Sequence, residues 1–75
     1  MAENEWNEKA KRLIKAELKR ANITYDELAR RLTEIGMPET KASVSNKISR
    51  GAFPAGFLLA TLKVIGRDVI RVDDV

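Results

Sequence analysis

The sequence contains neither cysteine nor histidine. Their absence excludes disulfides, thiol nucleophiles and imidazole acid–base catalysis, and it removes the usual ligands of a zinc site. Acidic residues are scattered, with no paired carboxylates on one helix face, and there is no glycine-rich phosphate loop. We therefore expect no catalytic residues, no enzyme activity, no metal and no other cofactor.

Long apolar runs are also absent. No segment approaches the length of a membrane-spanning helix, and the N-terminal MAENEWNEK is acidic and lacks the apolar core of a signal peptide. We expect a cytoplasmic protein that does not enter a membrane. No small-molecule substrate is evident from the sequence.

What the chain does contain is charge in near balance. Its 75 residues suit a single domain over 1–75, and 33% of them are charged, with a net charge of +3. A basic balance leans towards nucleic acid, although a charge of this size is weak support by itself. A domain this small buries a modest core, so self-association would help it.

Hydrophobic periodicity and helix-ending residues predict an all-α fold of four helices. We place the helices at about 4–21, 25–35, 41–50 and 54–65. A tail at about 68–72 alternates apolar and charged residues and is interpreted as a short β-strand without a partner in the chain, or as an extended tail along the first or fourth helix.

Particular residues are predicted to begin the helices and fill the core. Thr24 and Glu27 fit a reciprocal capping box at the start of the second helix. The fourth helix is apolar almost all round, which is typical of a buried helix. Trp6 is interpreted as a core anchor of the first helix. The expected core also includes Leu28, Ala29, Leu32, Ile35, Val44, Ile48 and Leu62.

The most informative segment is TKASVSNKISRG, residues 40–51. Thr40 can cap a helix and Gly51 can end it, while Val44 and Ile48 supply a narrow buried seam. The other face carries donors and cations, and the segment contains no acidic residue. Such a surface suits the major groove of DNA, which accommodates a helix and displays hydrogen-bonding base edges.

The run ITYDELARRL…SNKISRG resembles the lambda-repressor-like (Xre/Cro) helix-turn-helix domain. Thr24, Leu28 and Ala29 match its first helix, and Ile48, Arg50 and Gly51 match the end of its recognition helix. The pattern AKRLIKAEL…NKISRG…FLL is also similar to a family of short uncharacterised bacterial proteins. The first resemblance implies a compact helix-turn-helix domain that binds DNA and regulates transcription. Tyr25 departs from it, because the larger family usually has glutamine there.

We assign candidate DNA contacts by residue type and position. Asn46 and Lys47 lie in the middle of the polar face, where an amide can read adenine and an ammonium can donate to guanine. The other interpretation of both is ordinary exposed helix surface. The candidate base contacts are Lys41, Ser43, Asn46 and Lys47.

Phosphate contacts are expected at helix ends. Arg50 closes the third helix, where a cation also stabilises the helix dipole. Thr24 begins the second helix, whose free amides attract anions, unless Glu27 already occupies them. Tyr25 either donates its hydroxyl to the same phosphate or packs its ring against the domain. The Lys/Arg run of the first helix is a solvated exterior or a further phosphate surface.

Two expectations about partners follow. The main hypothesis is sequence-specific binding of double-stranded DNA by a small transcriptional regulator, and the alternative is an antitoxin-like or adaptor module that binds protein through the same fold. An unpaired strand edge is normally covered, so residues 68–72 of two copies are expected to pair in a homodimer.

Overall fold

Threonine caps and glycine stops divide the chain into helices much as the sequence predicts. The structure is a computed structural model that describes the backbone of residues 2–75 and the side chains from residue 5 onward. It contains α1 (Ala2–Ala21), α2 (Tyr25–Glu34), α3 (Lys41–Arg50) and α4 (Ala55–Val64), followed by a short 3-10 turn (Val72–Asp74). The predicted all-α, four-helix class is confirmed.

The helix caps are made by side chains, but not in the expected arrangement. Thr24 Oγ1 accepts from the Glu27 amide at 3.1 Å, as predicted, whereas the Glu27 carboxylate binds Arg30 and Arg31 instead of returning to Thr24. The reciprocal capping box lies at the start of α3. There Thr40 Oγ1 accepts from the Ser43 amide at 3.0 Å, and Ser43 Oγ accepts from the Thr40 amide at 2.8 Å.

The core forms where α3 packs against both α1 and α2, and α4 packs against α2. Val44 and Ile48 of α3 are fully buried, as the sequence predicts. Their partners come from the other three helices: Ile14, Leu18, Leu28, Ala29, Leu32 and Phe57. This packing fixes the orientation of α3 and turns its polar face to solvent.

Four apolar residues lie further out than predicted. Trp6 is 56% exposed and is no core anchor; the Lys9 ammonium lies 4.4 Å from its ring centroid. Ile35 is also exposed, because it follows the last turn of α2. On α4, Leu59 is exposed and Leu62 only half-buried, so the expectation of an all-round buried helix is wrong. Because α4 packs against the rest of the domain on one side, it buries only one of its faces.

The predicted strand at about 68–72 does not form. Within residues 2–75 there is no β-strand; residues 67–71 have no regular structure and lead into the 3-10 turn. The tail lies along α1, and Arg67 Nε is 3.4 Å from Glu17 Oε1. This is the second of the two predicted forms, an extended tail. It contacts side chains of α1 and does not pair with a strand.

Candidate nucleic-acid interface

The outer face of α3 presents one exposed pair of polar side chains. Asn46 and Arg50 lie four residues apart, and so on the same face. Both are exposed, and neither forms a side-chain hydrogen bond or ion pair within residues 5–75. Val44 and Ile48 anchor the opposite face in the core. Asn46 and Arg50 are therefore held on a rigid element with their polar groups free.

Ser43 and Lys47, two of the predicted base contacts, are engaged within the protein. Ser43 Oγ donates to Glu39 Oε1 at 2.6 Å, and the Lys47 ammonium donates to Glu39 Oε2. Lys47 also lies over the Phe57 ring, with its ammonium 5.2 Å from the centroid. The hydroxyl hydrogen of Ser43 and one N–H of the Lys47 ammonium are thus committed to Glu39.

Glu39 is the residue that sequence reasoning missed. It lies just before the acid-free segment, four residues ahead of Ser43 and eight ahead of Lys47, so continuing the helical spacing backwards would have found it. Its side chain is 5% exposed. Burial alone would raise the pKa of the Glu39 carboxyl, but the hydrogen bonds from Lys47 and Ser43 and the charge of Lys47 outweigh it, and the pKa is lowered.

Lys41 lies apart from the other candidate base contacts. It lines an open groove between α2 and the start of α3, whose other walls include Asp26, Arg30, Glu34 and Glu39. Three carboxylates and two cations give this groove a negative balance. The structure does not bring Lys41 together with Asn46 and Arg50.

At the start of α2, the Thr24 hydroxyl is hydrogen-bonded within the protein, but not every backbone amide of the first turn is. Thr24 Oγ1 is taken by the Glu27 amide. Hydrogen bonds from Arg30 and then Arg31 hold the Glu27 carboxylate away from the helix start and lower its pKa. The amides of Tyr25 and Asp26 have no carbonyl partner within the helix and remain available to an anion, whereas the Glu27 amide is taken by Thr24. Tyr25 is half-buried and packs against the core, the second of its two expected positions.

Part of the basic run of α1 lies close to α3. The Cβ of Lys11 is near Gly51, the C-cap of α3, and the Lys11 ammonium is 3.9 Å from Glu8. Lys11 thus adjoins the end of the helix that carries Arg50. Sequence periodicity could not select it from the six Lys and Arg residues of α1, because their order relative to α3 depends on how the two helices cross.

One protein family matches the chain: its description is "Domain of unknown function (DUF6471)", and the match covers residues 6–70. Comparisons with curated proteins and with solved structures gave no match. Over the described residues, no helix combines the length and apolar character needed to cross a membrane.

Proposed function

The chain belongs to the DUF6471 family, and we propose that it binds double-stranded DNA in a sequence-specific way through α3. The observation that carries this proposal is the exposed, unpaired pair Asn46 and Arg50 on a helix anchored in the core. An amide in the middle of such a helix can read adenine in the major groove, and a terminal guanidinium can bind phosphate.

The other contacts are assigned around that pair. Lys11 and the two free amides that follow the N-cap Thr24, those of Tyr25 and Asp26, supply further phosphate contacts. Ser43 and Lys47 reach base edges when DNA draws them from Glu39, and Lys41 lies at the rim of the interface. With the resemblance to lambda-repressor-like domains, this supports a small transcriptional regulator acting in the cytoplasm.

The proposal is tested by fluorescence anisotropy with random-sequence and selected duplexes at several salt concentrations. Arg50→Ala should weaken binding to all duplexes and flatten the slope of log K against log salt by about 0.9, the effect of one lost phosphate contact. Asn46→Ala should instead relax sequence preference by about 1–3 kcal/mol.

Lys63→Ala is the matched control, because it removes an exposed cation of α4 that lies outside this interface. It should leave affinity and sequence preference unchanged. Wild-type behaviour in both α3 variants, in folded protein, would remove α3 as the recognition helix.

A second candidate function is protein binding without DNA. It is favoured by the groove between α2 and α3, where Asp26, Glu34 and Glu39 outnumber the cations. Carboxylates repel a phosphate backbone but attract a basic protein segment. If the wild-type protein binds no duplex even at low salt, this function is the better one.

A further inference from the structure

We propose that the groove between α1 and the C-terminal tail binds a small organic anion with an apolar body, such as a medium-chain carboxylate. The groove has a volume of about 390 Å³ and lies between one face of α1 and residues 67–75. Its apolar lining comes from both sides: Leu13, Ala16, Ile70 and Val75. Half-enclosed apolar surface of this size with a few polar groups is typical of small-ligand sites.

The polar side chains of the groove favour a negative ligand. Four cationic side chains, those of Lys9, Arg12, Arg67 and Arg71, line it together with only two acidic side chains, those of Glu17 and Asp74. Arg67 faces Glu17 at 3.4 Å, and Arg71 faces Asp74 at 3.9 Å. Arg12 has no carboxylate within 4 Å among the described side chains, so its guanidinium is free for a ligand.

A buried donor in the groove wall lacks an acceptor. Arg67 Nε is shielded from solvent and forms no hydrogen bond within the described part of the chain. Glu17 Oε1 is close enough for an ion pair, but not placed for a hydrogen bond. The Nε itself is closed to a ligand as it is to water, but the Arg67 side chain is 40% exposed, so its terminal N–H groups can donate to a ligand oxygen. The anionic head therefore lies between Arg12 and Arg67, and the apolar body lies on Leu13 and Ile70.

This site is independent of the proposed DNA interface, because no residue of α3 lines it. Its failure and that of DNA binding are measured separately. The structure also supplies an optical reporter. Lys9 lines the groove, and its ammonium lies over Trp6, the single tryptophan of the chain.

The test is a titration of the full chain with decanoate below its micelle concentration, followed by amide chemical shifts and Trp6 fluorescence. Decanoate should saturate, shifting the amides of residues 12–17 and 67–75, and uncharged 1-decanol should bind at least about tenfold more weakly. Arg12→Glu should weaken decanoate binding about tenfold or more. Lys19→Glu makes the same charge change at another exposed, unpaired position of α1 and should have little effect.

A second variant fills the groove without changing its charge. Ala16 is exposed, so Ala16→Phe should fold normally and abolish decanoate binding. Equal binding of decanoate and decanol, unaltered binding in either groove variant, or no saturation would overturn the proposal. A further result would also overturn it: the wild-type protein sediments with phosphatidylglycerol vesicles and Arg12→Glu does not. The anion that Arg12 binds would then belong to a membrane surface and not to a small ligand.

Discussion

The carboxylate of Glu39 holds the ammonium of Lys47, two helical turns away on α3. Glu39 is nearly buried, and Lys47 retains about a third of its side-chain exposure. The pair therefore lowers the positive charge of α3 on the side that adjoins Asn46 and Arg50. Glu39 therefore weakens binding to a duplex of any sequence, because its carboxylate offsets a positive charge that would otherwise attract the DNA.

The first prediction follows from that pair. Glu39→Gln should strengthen DNA binding and steepen the salt dependence by up to about 0.9 in the log–log slope, because the positive charge of Lys47 is then no longer neutralised by Glu39 beside the duplex. The measurement is anisotropy at several salt concentrations. Glu34→Gln, which removes an exposed carboxylate bound to Arg30, is the control and should change the slope less. An unaltered slope in Glu39→Gln would show that Lys47 does not reach DNA.

The same pair makes stability depend on pH. The pKa of Glu39 in the folded protein is lowered from its ordinary value of 4.5, so the ionised carboxylate stabilises the fold above that value. This contribution is lost as the pH falls through the folded-state pKa. Urea unfolding from about pH 6 down to about pH 3 should show wild type losing more stability than Glu39→Gln. Parallel curves would mean that the carboxylate titrates alike in both states.

Gly51 gives a prediction about how α1 and α3 cross. Its φ is +66°, and a Cβ there would overlap the carbonyl oxygen of Asn7 on α1. Gly51→Ala should therefore cost about 3 kcal/mol or more, combining left-handed strain with displaced backbone. Gly36→Ala is the control, because its φ is +92° with nothing within 4 Å, and it should cost only about 1–2 kcal/mol. Equal losses in thermal unfolding would argue against the close crossing.

Burial ranks the core residues for a fourth prediction. Ile48→Ala should destabilise the domain by about 2–5 kcal/mol, because a fully buried side chain leaves a cavity. Leu62→Ala should cost clearly less, since Leu62 is half-buried and lies outside the buried cluster. Leu59→Ala should lie within about 0.5 kcal/mol of wild type. Urea unfolding measures all three; a Leu62 loss equal to that of Ile48 would place Leu62 in the core.

Features governed by local chemistry could be predicted from the sequence. Thr24 and Thr40 accept from amides three residues on, and Gly51 adopts the left-handed conformation that ends α3. Val44 and Ile48 are the two apolar residues at helical spacing in an otherwise polar segment. The helix can bury apolar surface only by turning these two toward the core. Each of these depends on neighbours within a single turn.

Features governed by the packing of distant segments could not be predicted. Trp6 and Leu59 are as apolar as the core residues, but no second layer covers their faces. The side chain of Glu27 had two competing partners, a helix amide and two arginines, and the charged pairs prevail. On α3, the sequence did not show that Glu39, which precedes the helix, binds Lys47 on a face that has no acidic residue of its own.

The last prediction concerns the tail and self-association. Its backbone at residues 68–70 forms no backbone hydrogen bond within the described chain, and Val69 and Val72 are 64% and 75% exposed. An open apolar edge of this kind is normally covered, and a second copy paired antiparallel about a two-fold axis would cover both edges at once. The homodimer would also present two α3 helices to successive half-sites about 34–36 Å apart.

Sedimentation at micromolar to millimolar concentration tests that pairing. Wild type should dimerise, and Ile70→Asp should shift it to monomer, because residue 70 is the centre of 68–72 and two carboxylates would face each other across the axis. Leu59→Asp, an apolar-to-acidic change at an exposed position of α4, separates pairing of the tail from general loss of apolar surface and should leave the dimer intact. Dissociation by Leu59→Asp alone would move the interface to α4. If wild type is a monomer at every concentration, the tail only covers α1, and each chain binds DNA as a monomer.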